Sequence, residues 1–140
     1  MRRRTYLGAV AGAMSLVAGC SGGDGGDGGD TYGDWFANVD NYDGEVDRTG
    51  TSTVRVDVGA GDGFAFAPAA VRVDAGTRVV WEWTGQGGQH NVVERDGAFA
   101  SPYHTESGAT YEYVFDESGL FPYYCDPHRA MGMKGGVRVE

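Results

Sequence analysis

From about residue 53 onward, apolar and polar positions alternate in short runs. Val54, Val56 and Val58 alternate with Arg55 and Asp57, and Val71 and Val73 flank Arg72. Val79, Trp81 and Trp83 alternate with Val80, Glu82 and Thr84. Tyr111, Tyr113 and Phe115 alternate with Glu112, Val114 and Asp116; Phe121, Tyr123 and Cys125 alternate with Pro122, Tyr124 and Asp126. Val137 and Val139 close the series around Arg138, and residues 90–93 add another short run. A period of two means a strand with one buried face. Runs such as Asp74-Ala75-Gly76 and Glu117-Ser118-Gly119 between them carry turn chemistry. About seven or eight strands without a long helical pattern predict an all-β antiparallel sandwich. Only residues 34–39 suggest a helical turn, with Trp35 and Phe36 expected on the outside of the sandwich.

The first 31 residues follow different rules. Met1-Arg2-Arg3-Arg4 is a basic start, and residues 7–19 are apolar but too short to span a bilayer. Residues 1–19 read as an export signal, with Arg3-Arg4 similar to a twin-arginine signal. Val17-Ala18-Gly19-Cys20 resembles a lipobox, which makes Cys20 the expected lipidation site. Residues 20–31 then form a Gly/Asp-rich tether, which has no apolar surface to bury and whose charges repel one another. The remaining domain is 32–140.

The chain has 140 residues, enough for one core. The formal charge is −9, and it falls to −12 once Arg2, Arg3 and Arg4 leave with the signal. Such acidity argues against nucleic acid as a partner. It suits a protein that stays hydrated in strong brine.

The chemistry is concentrated near the C-terminus. Tyr123-Tyr124-Cys125-Asp126-Pro127-His128, then Gly132-Met133-Lys134-Gly135, put a thiol, an imidazole and a thioether on one loop. With Cys20 lipidated, Cys125 has no disulfide partner, and metal ligation gives a lone exported thiol a purpose. Strand parity points Cys125 inward, where a cation would deprotonate it. Pro127 stiffens the loop. Two imidazoles, a thiolate and a weak axial thioether are the ligand set of a blue-copper site. Zinc accepts Cys and His as well, but a thioether suits Cu(I) better. Gly59 to Gly63 and Gly85 to Gly88 match no phosphate-binding motif and read as turns.

From about Asn41 to Glu140 the chain resembles the cupredoxins, and within them the halocyanins. The resemblance implies a Greek-key sandwich, one copper per chain, and electron transfer without a catalytic residue. It implies His90 as the second imidazole ligand and Asn91 as its neighbour, the Asn91 amide donating to the Cys125 sulfur and its side chain bracing the loop. The context of Met133 resembles plastocyanins and halocyanins; the spacing of Met131 resembles amicyanins. Met133 is favoured as the axial ligand on spacing and flanking glycines. The edge of His128 is the expected electron port, ringed by Pro127, Ala130, Met131 and Gly132, and Tyr124 marks a second exit. His104 reads as a solvent-exposed loop residue. The expected whole is a monomeric carrier on the outer face of the cell membrane, working between redox protein partners of a respiratory chain.

Overall fold

The computed structural model describes residues 32–140. The signal, Cys20 and the tether lie outside the described residues.

Nine strands are present among the described residues: β1 (Val46–Asp47), β2 (Thr53–Ala60), β3 (Ala65–Ala67), β4 (Ala70–Val73), β5 (Thr77–Trp83), β6 (Val93–Glu94), β7 (Thr110–Phe115), β8 (Gly119–Tyr124) and β9 (Lys134–Val139). They form two sheets, ordered β1-β4-β9-β8-β6 and β3-β2-β5-β7. The alternation holds: Val54, Val56 and Val58 on β2 and Val79, Trp81 and Trp83 on β5 all turn inward and are buried. Each large apolar side chain withdrawn in this way contributes about 1.5–3 kcal/mol.

The count and direction of strands differ from expectation. The additional strands, β1 and β3, are two and three residues long, too short to show a period. The sheets are mixed, not antiparallel: β1·β4, β4·β9 and β2·β5 pair parallel. Between β2 and β5 the chain visits the other sheet as β4, so it returns beside β2 running the same way. Residues 90–93 are not a strand. His90 makes a single bridge with His104, and β6 begins only at Val93.

Two cores result. The larger lies between the sheets around Trp81, Trp83, Phe66, Phe115 and Tyr123. A smaller one lies on the outer face of the first sheet. There Tyr32, Trp35, Phe36 and Val39 cover Ala69 and Ala70, with Leu120 and Tyr124 at its border. Residues 32–39 fold as successive turns (Trp35 N–H to Tyr32 carbonyl, Ala37 to Asp34, Val39 to Phe36, each 3.1 Å). Trp35 and Phe36 therefore pack outside the sandwich, as their pattern predicts.

The ends of β8 and β9, the β2–β3 connection and the segment before β6 meet at one end of the sandwich. A 3-10 helix, Asp126–Met131, joins β8 to β9 there.

Candidate metal centre

Cys125 directly follows β8 and is fully buried. The chain then turns sharply. The His128 amide donates to the Cys125 carbonyl (3.2 Å), and the Cys125 amide to the Met133 carbonyl (3.0 Å). Pro127 occupies the first turn of the 3-10 helix, where its missing N–H costs nothing. His128 itself leaves helical geometry (φ −120°, ψ 17°), and its ring comes back over the sulfur.

His90 arrives from the other side. Its backbone is held by a double bridge to His104 (3.1 and 3.0 Å), and its carbonyl accepts the Trp83 indole N–H at 3.0 Å. Its Nε2 lies 2.7 Å from the Gln86 carbonyl. A carbonyl can only accept, so Nε2 carries the proton and Nδ1 is left with a free lone pair.

That lone pair faces the other two donors. His90 Nδ1 and His128 Nδ1 are 3.2 Å apart; Cys125 Sγ is 3.6 Å from the first and 3.4 Å from the second. The triangle is nearly equilateral, and the point equidistant from its corners lies about 2 Å from each, close to metal–imidazole and metal–thiolate bond lengths. Among the described residues, these three form the one cluster of metal-ligating His, Cys and carboxylate groups. The donor set fits a soft or borderline cation.

The acidities of Cys125 and His128 are shifted in opposite directions. Burial pushes the Cys125 thiol up, while the amides of Asn91 and His128 pull it back down. A cation adds the larger stabilisation of the thiolate. Desolvation, and secondarily His90, hold His128 below the usual imidazole range, which favours the neutral ligand form.

Asn91 is buried, and its Oδ1 accepts the Asp126 amide at 2.8 Å, bracing the ligand loop. Met133 is fully buried, its amide donating to the His128 carbonyl at 3.2 Å; Met131 is 59% exposed. Pro127 and Ala130, like Met131, are exposed, and His128 is half-buried. Gly132, expected in the same rim, is buried: the Asn38 carbonyl lies over it, leaving no space for a side chain.

One further expectation is corrected. His104 is half-buried, not a free loop residue: its backbone holds His90, and its ring packs edge-on against Trp83 at 4.9 Å. Tyr124 lies on the face of β8 opposite Cys125, at the border of the outer core, and the Arg129 guanidinium covers its ring at 4.3 Å.

Sequence reasoning missed Phe64, whose ring packs edge-on to His128 at 4.9 Å and to His90 at 6.3 Å. It also missed why the two glycine-rich turns exist. Gly63 and Gly87 touch backbone to backbone, and a Cβ on Gly87 would meet the Gly63 carbonyl and His90 Nε2. That close approach delivers the Gln86 carbonyl to His90. The only sequence signal was the clustering of glycines on either side of a candidate ligand.

A two-sheet sandwich with a Cys-His-His donor triangle at one end defines a metal-binding β-sandwich. The sequence profile described as "Copper binding proteins, plastocyanin/azurin family" matches residues 52–140. The chain belongs to that family, and copper is its cofactor.

Individual relatives agree. A halocyanin of Natronomonas pharaonis is 56% identical over 104 residues, covering 71% of this chain and 64% of that protein's own length. A plastocyanin of Scenedesmus fuscus is 33% identical over 98 residues, covering 62% of this chain and 99% of the plastocyanin. Among solved structures, a mutant fern plastocyanin, described in oxidised and reduced forms, superposes with a TM-score of 0.52 at 26% identity, over 62% of this chain and all of that one. A purple cupredoxin of Nitrosopumilus maritimus superposes with a TM-score of 0.51 at 27% identity, over 62% and 99% of the two chains.

Proposed function

We propose that the chain is a one-electron carrier and not an enzyme, cycling its copper between Cu(I) and Cu(II). The observation that carries this is the closed donor triangle with one half-buried edge, at His128. Bound copper supplies a redox couple that needs no substrate and no bond-making. The protein holds the donors: the Gln86 carbonyl fixes the His90 ring, Asn91 braces the loop, and the bridge to His104 anchors the His90 backbone. A site fixed this firmly leaves little to reorganise when an electron arrives.

The buried Met133, next to the triangle through its backbone bonds to His128 and Cys125, is the axial ligand in this reading. Exposed Met131 belongs to the rim with Pro127 and Ala130. The outward edge of His128 is the electron port, and this rim is where redox partners of a respiratory chain dock. At high salt the Debye length shrinks to about 3 Å, so contact on the rim outweighs charge steering.

The leader supports export by a twin-arginine route and anchoring through lipidated Cys20, with residues 20–31 as the tether to the outer face of the cell membrane. The acidic composition supports a halophilic setting. No feature of the domain calls for a second copy, and the working unit is a monomer.

The experiment is copper loading of the purified protein with spectroscopy and voltammetry. An intense thiolate-to-copper band that disappears on reduction, together with a reversible one-electron wave, is the expected result. A colourless, readily exchanging Cu(I) protein would instead indicate copper delivery.

A further inference from the structure

The loop that carries both candidate axial methionines is gripped from outside by a segment that precedes the family's matched region. That region begins at residue 52. The gripping segment is residues 32–41.

Each hold is specific. The buried Trp35 indole N–H donates to the Gly135 carbonyl at 2.9 Å. Asn38 reaches the Ala130 carbonyl through Nδ2 at 3.5 Å and accepts the Lys134 ammonium on Oδ1 at 3.0 Å. The Asn38 carbonyl presses on Gly132, which is left-handed at φ +96° and has no room for a Cβ. The Arg129 guanidinium and the Lys134 ammonium lie over the Trp35 ring, at 5.6 and 5.0 Å. At its far end the segment is tied down by Asn41 Nδ2, which donates to the Phe66 carbonyl on β3 at 2.7 Å. The holds fall on residues 129, 130, 132, 134 and 135, on both sides of Met133.

The physical need is clear. A short 3-10 helix with a kink at His128 has few internal bonds to fix its exit. An axial thioether bond is weak and long, so the protein backbone decides where the sulfur sits. We propose that residues 32–41 act as a strap that positions Met133, with Trp35 and Asn38 as positioning residues that set the reduction potential. The inference rests on the reading of Met133 as the axial ligand.

The test uses the full chain. Asn38 is exposed, so Asn38→Ala leaves the cores intact. Trp35→Phe keeps a ring in the outer core, deletes the hydrogen bond to Gly135 and weakens the cation–π contacts with Arg129 and Lys134. In the metal-free protein, both variants should speed amide hydrogen exchange at Gly132 and Met133 about tenfold and leave Asn91 unchanged. In the copper protein, both should weaken axial donation. The ratio of Cu(I) to Cu(II) affinity should then rise at least threefold, which raises the potential by about 28 mV at 59 mV per tenfold. Asn38→Asp retains the acceptor for Lys134 and should restore much of the loss. A strap that merely stabilises the fold would lower the melting temperature and leave exchange at Met133, the potential and the electron paramagnetic resonance spectrum unchanged, and that result overturns the proposal. Faster exchange with a potential that also ignores Met133→Leu would show that the strap orders the loop but that the axial reading fails.

Discussion

The Gln86 carbonyl and His90 Nε2 lie 2.7 Å apart, and this one hydrogen bond decides which His90 nitrogen faces Cys125. It depends on Gly87, whose φ of +82° and close approach to Gly63 exclude any side chain. Gly87→Ala should cost about 1–3 kcal/mol of stability from backbone strain alone, with the steric clash adding to it. Copper affinity should fall with it. Denaturant melts of the metal-free protein and a competitive copper titration measure the two effects; a wild-type affinity would show that His90 is oriented by something else.

Cys125→Ser should abolish the blue band while leaving the sandwich folded. Serine is nearly isosteric and a poor copper ligand, and the buried site can hydrogen-bond a hydroxyl to the Asn91 or His128 amide. Visible and far-ultraviolet spectra of the variant check both halves. Retention of the blue band would remove Cys125 from the site.

Burial separates the two methionines, at 0% exposure for Met133 and 59% for Met131. Met133→Leu should leave a blue site whose potential rises on the order of 60 mV, the one-electron equivalent of a tenfold change in relative affinity for the two oxidation states. Met131→Leu should leave potential and spectrum alone and slow electron exchange with a partner at most slightly. Paired voltammetry decides, and the reverse pattern would exchange their roles.

Acid should destabilise the domain partly through Asp47. The Thr49 amide, then the Thr49 hydroxyl and Arg72, hold its carboxylate well below the usual range. In the unfolded chain it takes up its proton first as pH falls. Its contribution is therefore complete above about pH 4 and fades as pH drops toward the folded value. The side chain is half exposed, so strong salt should screen the Arg72 share and spare the Thr49 bonds. Asp47→Asn should flatten the acid limb of a stability-against-pH curve; an unaltered limb would assign acid sensitivity elsewhere.

Cys20→Ala should move the protein from the membrane to the soluble fraction, since a Gly/Asp tether has no membrane affinity of its own. Fractionation after expression in an archaeal or bacterial host reads the result. A variant that stays with the membrane would rule out the lipid anchor.

Much of this was legible along the chain because it is local. Period-two runs such as Val54-Val56-Val58 and Val79-Trp81-Trp83 are fixed by one pleat, and Cys125, His128 and Met133 share one loop. His90 became legible only through resemblance, since a single His at the end of a glycine-rich turn has no periodicity to mark it. The parallel pairing of β2 with β5 depends on where β4 goes, which no window of sequence contains. Phe64 against His128, His104 against Trp83 and Asn38 against Gly132 are contacts between residues 64, 21 and 94 positions apart, and side chains that meet only in three dimensions leave no pattern in one.

The pair Gly135-Gly136 on β9 lies where the two cores come within one backbone of each other. A Cβ on Gly135 would strike the Tyr123 ring from inside the sandwich, and a Cβ on Gly136 would strike the Tyr32 ring from outside it. In genetic terms these are neighbouring codons with unrelated suppressors. A lesion at 135 should be relieved by trimming Tyr123 and one at 136 by trimming Tyr32, and neither remedy should serve the other.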